Sequence, residues 1–112
     1  LSKMMPLSSV MELVLTAQPV TAQRAYDMGF VNKVVPADQL MPAALALAGQ
    51  IAENAPLAVQ YFKELAYRGL NMSTHDLAAL TYHMYDDLLK TEDSKEGPKA
   101  FAEKRKPQWK GR

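Results

Sequence analysis

Two histidines, His75 and His83, are by type the residues of this chain best suited to acid–base or metal chemistry. They stand eight residues apart, which is not a recurrent ligand spacing, and the chain has no cysteine to complete a site. Asp86-Asp87 and Glu92-Asp93 place four carboxylates within eight positions. Paired carboxylates can divide acid and base work. Lys90 and Lys95 flank them, however, so the simpler reading is a solvated helix end with its cap. Ser8-Ser9 lacks the glycine elbow that exposes a nucleophilic serine, and no glycine-rich phosphate loop occurs. Residue types alone give no catalytic constellation and no metal site.

Charge is the one property that is unevenly spread. From Lys95 to Arg112 there are seven basic and two acidic residues, a net +5, while the other 94 residues carry −4. Any phosphate partner therefore belongs to the last eighteen residues, which close on "EGPKAFAEKRKPQWKGR". Two aromatics, Phe101 and Trp109, lie within it. Such an end can grip phosphate on a nucleic acid, a membrane or a cofactor, or it can be a solvated tail. Two aromatics are few for base stacking and the rest of the chain is acidic, which speaks against nucleic acid.

The elements that must position this tail are mostly helical. At 112 residues, 48% hydrophobic and 22% charged, the chain suits one small globular domain. No apolar run of about 18 residues offers a membrane span. Pro6 suits a first helical turn, with Val10, Met11, Val14 and Leu15 on one side of the helix that follows. Thr21 reads as the N-cap of a short helix that Gly29 ends in the left-handed conformation. "FVNKVVP" is short and β-branched, and is expected to form one small strand. Leu40, Ala44, Leu47, Ala48 and Ile51 make the stripe of a third helix, and Ala58, Tyr61, Phe62 and Leu65 that of a fourth, ended by Gly69. "STHD" at Ser73–Asp76 resembles a capping box for a long helix striped by Leu77, Leu80, Met84 and Leu88. Thr91 caps a short turn, Gly97 interrupts it, and Pro98 opens a last helix. The seven methionines read as core filling. The fold class expected is all-α with one short strand.

Three stretches carry a family resemblance. "MELVLTAQPVTAQRAYDMGFVNKVVP" (Met11–Pro36) resembles the segment that follows the catalytic core of crotonase-superfamily proteins, the family typified by enoyl-CoA hydratase. "IAENAPLAVQYFKE" resembles the family's next helix pair, and "TEDSKEGPKAFAEKRKPQWKGR" its C-terminal signature. The three are collinear and correctly spaced. The resemblance identifies the chain as the C-terminal portion of a crotonase-type subunit. Residues 1–36 would be the helices and strand after the core, and residues 37–112 a helical region for oligomerisation and coenzyme A contact. One departure is visible: relatives commonly end the first helix with glycine after "LT", where this chain has Ala17.

What the resemblance implies about chemistry is specific. The parent would act on acyl-CoA thioesters, hydrating a 2-enoyl-CoA as a lyase; isomerisation of a 3-enoyl-CoA is the nearest rival. Two backbone N–H groups and a glutamate pair do that work in the family, and they would lie upstream of Leu1. Glu12 matches neither glutamate. The chain itself would then hold no catalytic residue and be inert alone. Its substrate contacts would be Lys104, meeting the nucleotide end of coenzyme A, Tyr85 near the acyl-CoA site, and Phe101, three residues before Lys104 on one helix face. Coenzyme A enters as part of the substrate, with nothing bound covalently. Phe101 can equally be a core anchor, and Lys104 and Arg105 can be solvated, while Trp109 pins the tail. Partners implied are acyl-CoA and further copies of the subunit, as a trimer or dimer of trimers, without nucleic acid or membrane. A cytoplasmic location is expected, any targeting segment lying upstream. The reading from a different class is a non-catalytic self-association module.

Overall fold

The computed structural model describes residues 3–112 and is helical wherever it is regular. The order is α1 (Leu7–Thr16), α2 (Ala22–Asp27), a 3₁₀ turn (Ala37–Gln39), α3 (Leu40–Ala52), α4 (Pro56–Gly69), α5 (Thr74–Leu89) and α6 (Asp93–Ala102). Contacts divide the chain into two compact units, Leu1–Ala44 and Leu45–Arg112. No helix among the described residues is long and apolar enough to cross a membrane.

In the first unit a small apolar cluster joins Met5, Val10 and Met28, with Leu13 against it. Glu12 of α1 is paired with Arg24 of α2 at 3.0 Å. The caps follow from local chemistry. The Thr21 hydroxyl accepts the Arg24 N–H, satisfying one of the donors a helix start leaves open. Gly29 adopts φ +76, its N–H donating to the Tyr26 carbonyl while the Phe30 N–H donates to that of Ala25. This crossed pair of bonds is the Schellman stop. Ala17 ends α1 in the same left-handed region (φ 51), donating its N–H to the Leu13 carbonyl. A side chain there crowds the following carbonyl, a strain that glycine avoids.

The strand expected in this unit is corrected. No strand forms at Phe30–Pro36 or elsewhere among the described residues. A strand needs a second backbone about 4.8 Å away to complete its ladder. Here the N–H groups of Phe30 and Val31 both turn back to the Ala25 carbonyl instead. The apolar side of α1 also stays largely open, with Met11, Val14 and Leu15 exposed and only Val10 buried. The methionines divide in the same way: Met5, Met28 and Met84 are buried, but Met4, Met11 and Met41 are exposed.

In the second unit α4 packs on α5 and α5 contacts α6. The stripe on α5 is as read, with Met84 buried and Leu77, Leu80 and Leu88 half-buried. Gly69 has a packing role at the end of α4: a Cβ there would lie 3.0 Å from Cδ2 of Leu77. Ser73 caps α5 by accepting the Asp76 N–H at 3.1 Å. Asp76 answers the serine hydroxyl at 2.7 Å, so the box closes through side chains. The stripe on α3 lies open, Leu40, Leu47 and Ile51 being exposed.

The largest correction concerns α6. It runs without a break from Asp93 to Ala102, through both Gly97 and Pro98. Thr91 therefore caps α6 itself, its hydroxyl accepting the Ser94 N–H at 3.1 Å. An interior proline forfeits one helical hydrogen bond and crowds the carbonyl four residues back. Contacts with the chain's last seven residues compensate.

Candidate functional site

Those seven residues form a strap along α6. The Trp109 indole N–H donates to the Glu53 carbonyl at 2.7 Å, and its ring lies over Gly97, where a Cβ would come within 3.4 Å. Trp109, Pro98, Leu57 and Leu88 line a small apolar hollow of about 190 Å³. Beside it, the Asp93 carboxylate accepts the backbone N–H groups of Lys110 and Gly111 at 2.7 and 2.9 Å. Asp93 is only 5% exposed, so the reading of Glu92-Asp93 as a solvated helix end is corrected for Asp93, while Glu92 stays exposed. A buried carboxylate is tolerable because two donors and the positive end of α6 face it. Glu92 donates its N–H to the Arg112 carbonyl at 2.7 Å, and its carboxylate meets Lys110 and Arg112. The Lys110 ammonium holds that carboxyl below its usual range.

Glu96 is the centre of the other half of the clasp. Its two oxygens take both terminal nitrogens of Arg105, and one also accepts the Gln108 N–H at 2.8 Å. These bonds, led by the guanidinium, bring its pKa to about 2. Glu103 takes the Arg105 Nε at 2.6 Å. Glu96, Arg105, Lys99, Lys95 and Lys110 line an open polar hollow of about 470 Å³.

The three residues expected to touch substrate occupy different places. Tyr85 lines an apolar cleft between α4 and α5, with Tyr61, Phe62, Leu65 and Met84. Phe101 projects from the last turn of α6 and is 87% exposed, so it does not anchor a core here. Lys104 is not on that helix at all. It follows the Glu103 C-cap in a left-handed conformation, φ 52. Its N–H donates to the Phe101 carbonyl and that of Arg105 to the Ala100 carbonyl, which stops α6 as a Schellman turn. Neither Phe101 nor Lys104 lines the cleft at Tyr85.

Ion pairing separates the cations of this tail. Arg105 is held by Glu96 and Glu103, Lys106 by Glu53, and Lys110 and Arg112 by Glu92. Among the described residues, Lys104 has no carboxylate partner, and neither have Lys95 and Lys99, which line the polar hollow. The earlier carboxylates are engaged too, since Lys90 pairs with Asp86 at 2.8 Å and with Asp87 at 3.2 Å, while His83 lies 3.6 Å from Asp87. The hydrogen bond from Lys90 depresses the Asp86 carboxyl. No group of three or more acidic or histidine side chains that could hold a metal occurs among the described residues. Sequence reasoning missed Asp93 and Glu96 as organisers. The available signal was their position in the first turn of a helix that the reading had split.

Comparisons with known proteins agree with this architecture. A family model described as enoyl-CoA hydratase/isomerase matches residues 1–112. Carnitinyl-CoA dehydratase from Proteus mirabilis is 41% identical over 116 residues, covering all of this chain and 44% of its own length. An enoyl-CoA hydratase structure from Mycobacterium marinum superposes with a TM-score of 0.95 at 36% identity, over 100% of this chain and 44% of the other. One from Bacillus anthracis gives 0.95 at 34% identity, over 98% and 43%. The chain thus spans less than half the length of the relatives it matches.

Proposed function

The chain belongs to the enoyl-CoA hydratase/isomerase family, and on that premise we propose that it serves a protein that hydrates a 2-enoyl-CoA reversibly. Within that protein it is the helical C-terminal region, and it contributes substrate contacts and no catalytic group. A dehydratase among the similar proteins supports the choice of reaction, since loss of water is hydration run backwards. The observation that carries the site is Lys104, an exposed cation without a carboxylate partner in the turn that ends α6. It meets the phosphate-bearing end of coenzyme A. Tyr85, in the α4–α5 cleft, and the exposed ring of Phe101 border the rest of the acyl-CoA.

The test is kinetic. In the whole protein, Lys104→Ala should raise KM for the acyl-CoA about fivefold while kcat changes little. A contact to a remote part of the substrate is the same in ground and transition states. An exposed ion pair is worth about 1 kcal/mol at most. An unchanged KM at low salt would assign Lys104 to solvent. The family description also names isomerases. Product analysis with 2-enoyl and 3-enoyl substrates separates the two activities. We further propose that the protein works as a homo-oligomer, with copies meeting over the apolar faces left open on these helices.

A further inference from the structure

The left-handed turn at Lys104 is an unusual place for a lysine, and the groups around it explain how it is kept. An L-residue with φ near +52 carries strain that its surroundings must offset, as at Ala17, and at Lys104 the groups on both sides of the turn do so. On one side of Lys104, Glu103 closes α6, its N–H donating to the Lys99 carbonyl. On the other, Arg105 is fixed twice: its backbone N–H reaches Ala100 and its guanidinium forks onto Glu96. That pair is also the best shielded ion pair described, with side-chain exposures of 35% and 19%. The pairs of Lys106 and Arg112 lie in open solvent, with those lysine and arginine side chains at 89% and 74%.

We propose that Glu96 is a positioning residue for phosphate recognition, locking the turn through its fork with Arg105 so that Lys104 is presented to the phosphate end of coenzyme A in one direction. The proposal rests on the reading of Lys104 given above. Two effects are combined in one carboxylate. Together with Glu103 it neutralises Arg105, which would otherwise compete for the phosphate in a different geometry, since a guanidinium binds phosphate well. It also fixes the direction in which the turn projects Lys104, because the planar fork removes the freedom that a single contact leaves. The Gln108 N–H on the same carboxylate ties the start of the strap to the turn.

The experiment titrates coenzyme A into the whole protein at low salt, comparing Arg105→Lys, Glu96→Gln, Lys104→Ala and the Arg105→Lys/Lys104→Ala double variant. Arg105→Lys keeps the charge and loses the fork, and should weaken binding about three- to tenfold. KM should rise with it while kcat holds. Glu96→Gln should weaken binding too, although it makes the tail more positive. In the Lys104→Ala background, Arg105→Lys should have no further effect, because the lysine it positions is gone. Wild-type affinity in Arg105→Lys, tighter binding in Glu96→Gln, or additive losses in the double variant would each overturn the positioning role while leaving the Lys104 contact standing. Unchanged affinity in Lys104→Ala would overturn the contact and the inference together. Hydrogen exchange of the strap's backbone N–H groups, read on every variant, separates a loosened strap from a moved lysine.

Discussion

Replacing Asp93 by Asn should release the C-terminal strap while leaving the helices before it in place. Asp93 is 5% exposed and its carboxylate accepts two backbone N–H groups, from Lys110 and Gly111. Hydrogen bonds to a charged acceptor contribute about 1.5–3 kcal/mol each. Asparagine keeps one acceptor oxygen but turns an N–H₂ group toward the second donor, so roughly one of the two bonds is lost and the other weakened. Water reaching the freed N–H groups offsets part of this, leaving an expected loss of about 2 kcal/mol. For a unit of this size that lowers Tm by roughly 10 °C. Trp109 is the only tryptophan of the chain and sits in the strap, its indole bonded to the Glu53 carbonyl. Its emission should therefore shift to the red and its quenching by acrylamide should rise, while far-UV dichroism keeps most of the helix signal. If Tm and emission both stay at their wild-type values, the strap is not held by Asp93 and the account of α6 given above fails.

Other outcomes can be checked alongside. Ala17→Gly should stabilise the chain by about 0.5–1 kcal/mol, measured by urea unfolding, because Ala17 is held at φ 51, where glycine is unstrained. The Glu96 carboxyl is depressed from 4.5 to about 2 in the folded chain, so its contribution to stability is full above pH 4.5 and lost as the pH falls toward 2. Acid titration of Trp109 emission should therefore show the strap loosening in that window, and should lose that phase in Glu96→Gln. The 112-residue chain should self-associate at micromolar concentration, since Met11, Val14, Leu15, Leu40 and Leu45 are exposed. Sedimentation equilibrium giving a 12.4 kDa monomer would count against that.

Much of this molecule is written in short-range sequence. The Thr21 and Ser73 caps, the Gly29 stop and the stripe Leu77–Leu80–Met84–Leu88 each involve partners three to seven residues apart, so residue type and spacing suffice to find them. The family was legible for the same reason, as runs of local signature. Tertiary structure decided what has its partner far away. A strand at Phe30–Pro36 depends on a second backbone, which composition cannot supply. Helix α6 passes Gly97 and Pro98 because Trp109, held to a carbonyl 56 residues back, lies against it. Asp93 looked like part of a solvated helix end and Glu96 had no assigned role until donors 9 to 18 residues later came to them. Propensity measures what a residue costs in an isolated helix; α6 exists because the strap outweighs that cost.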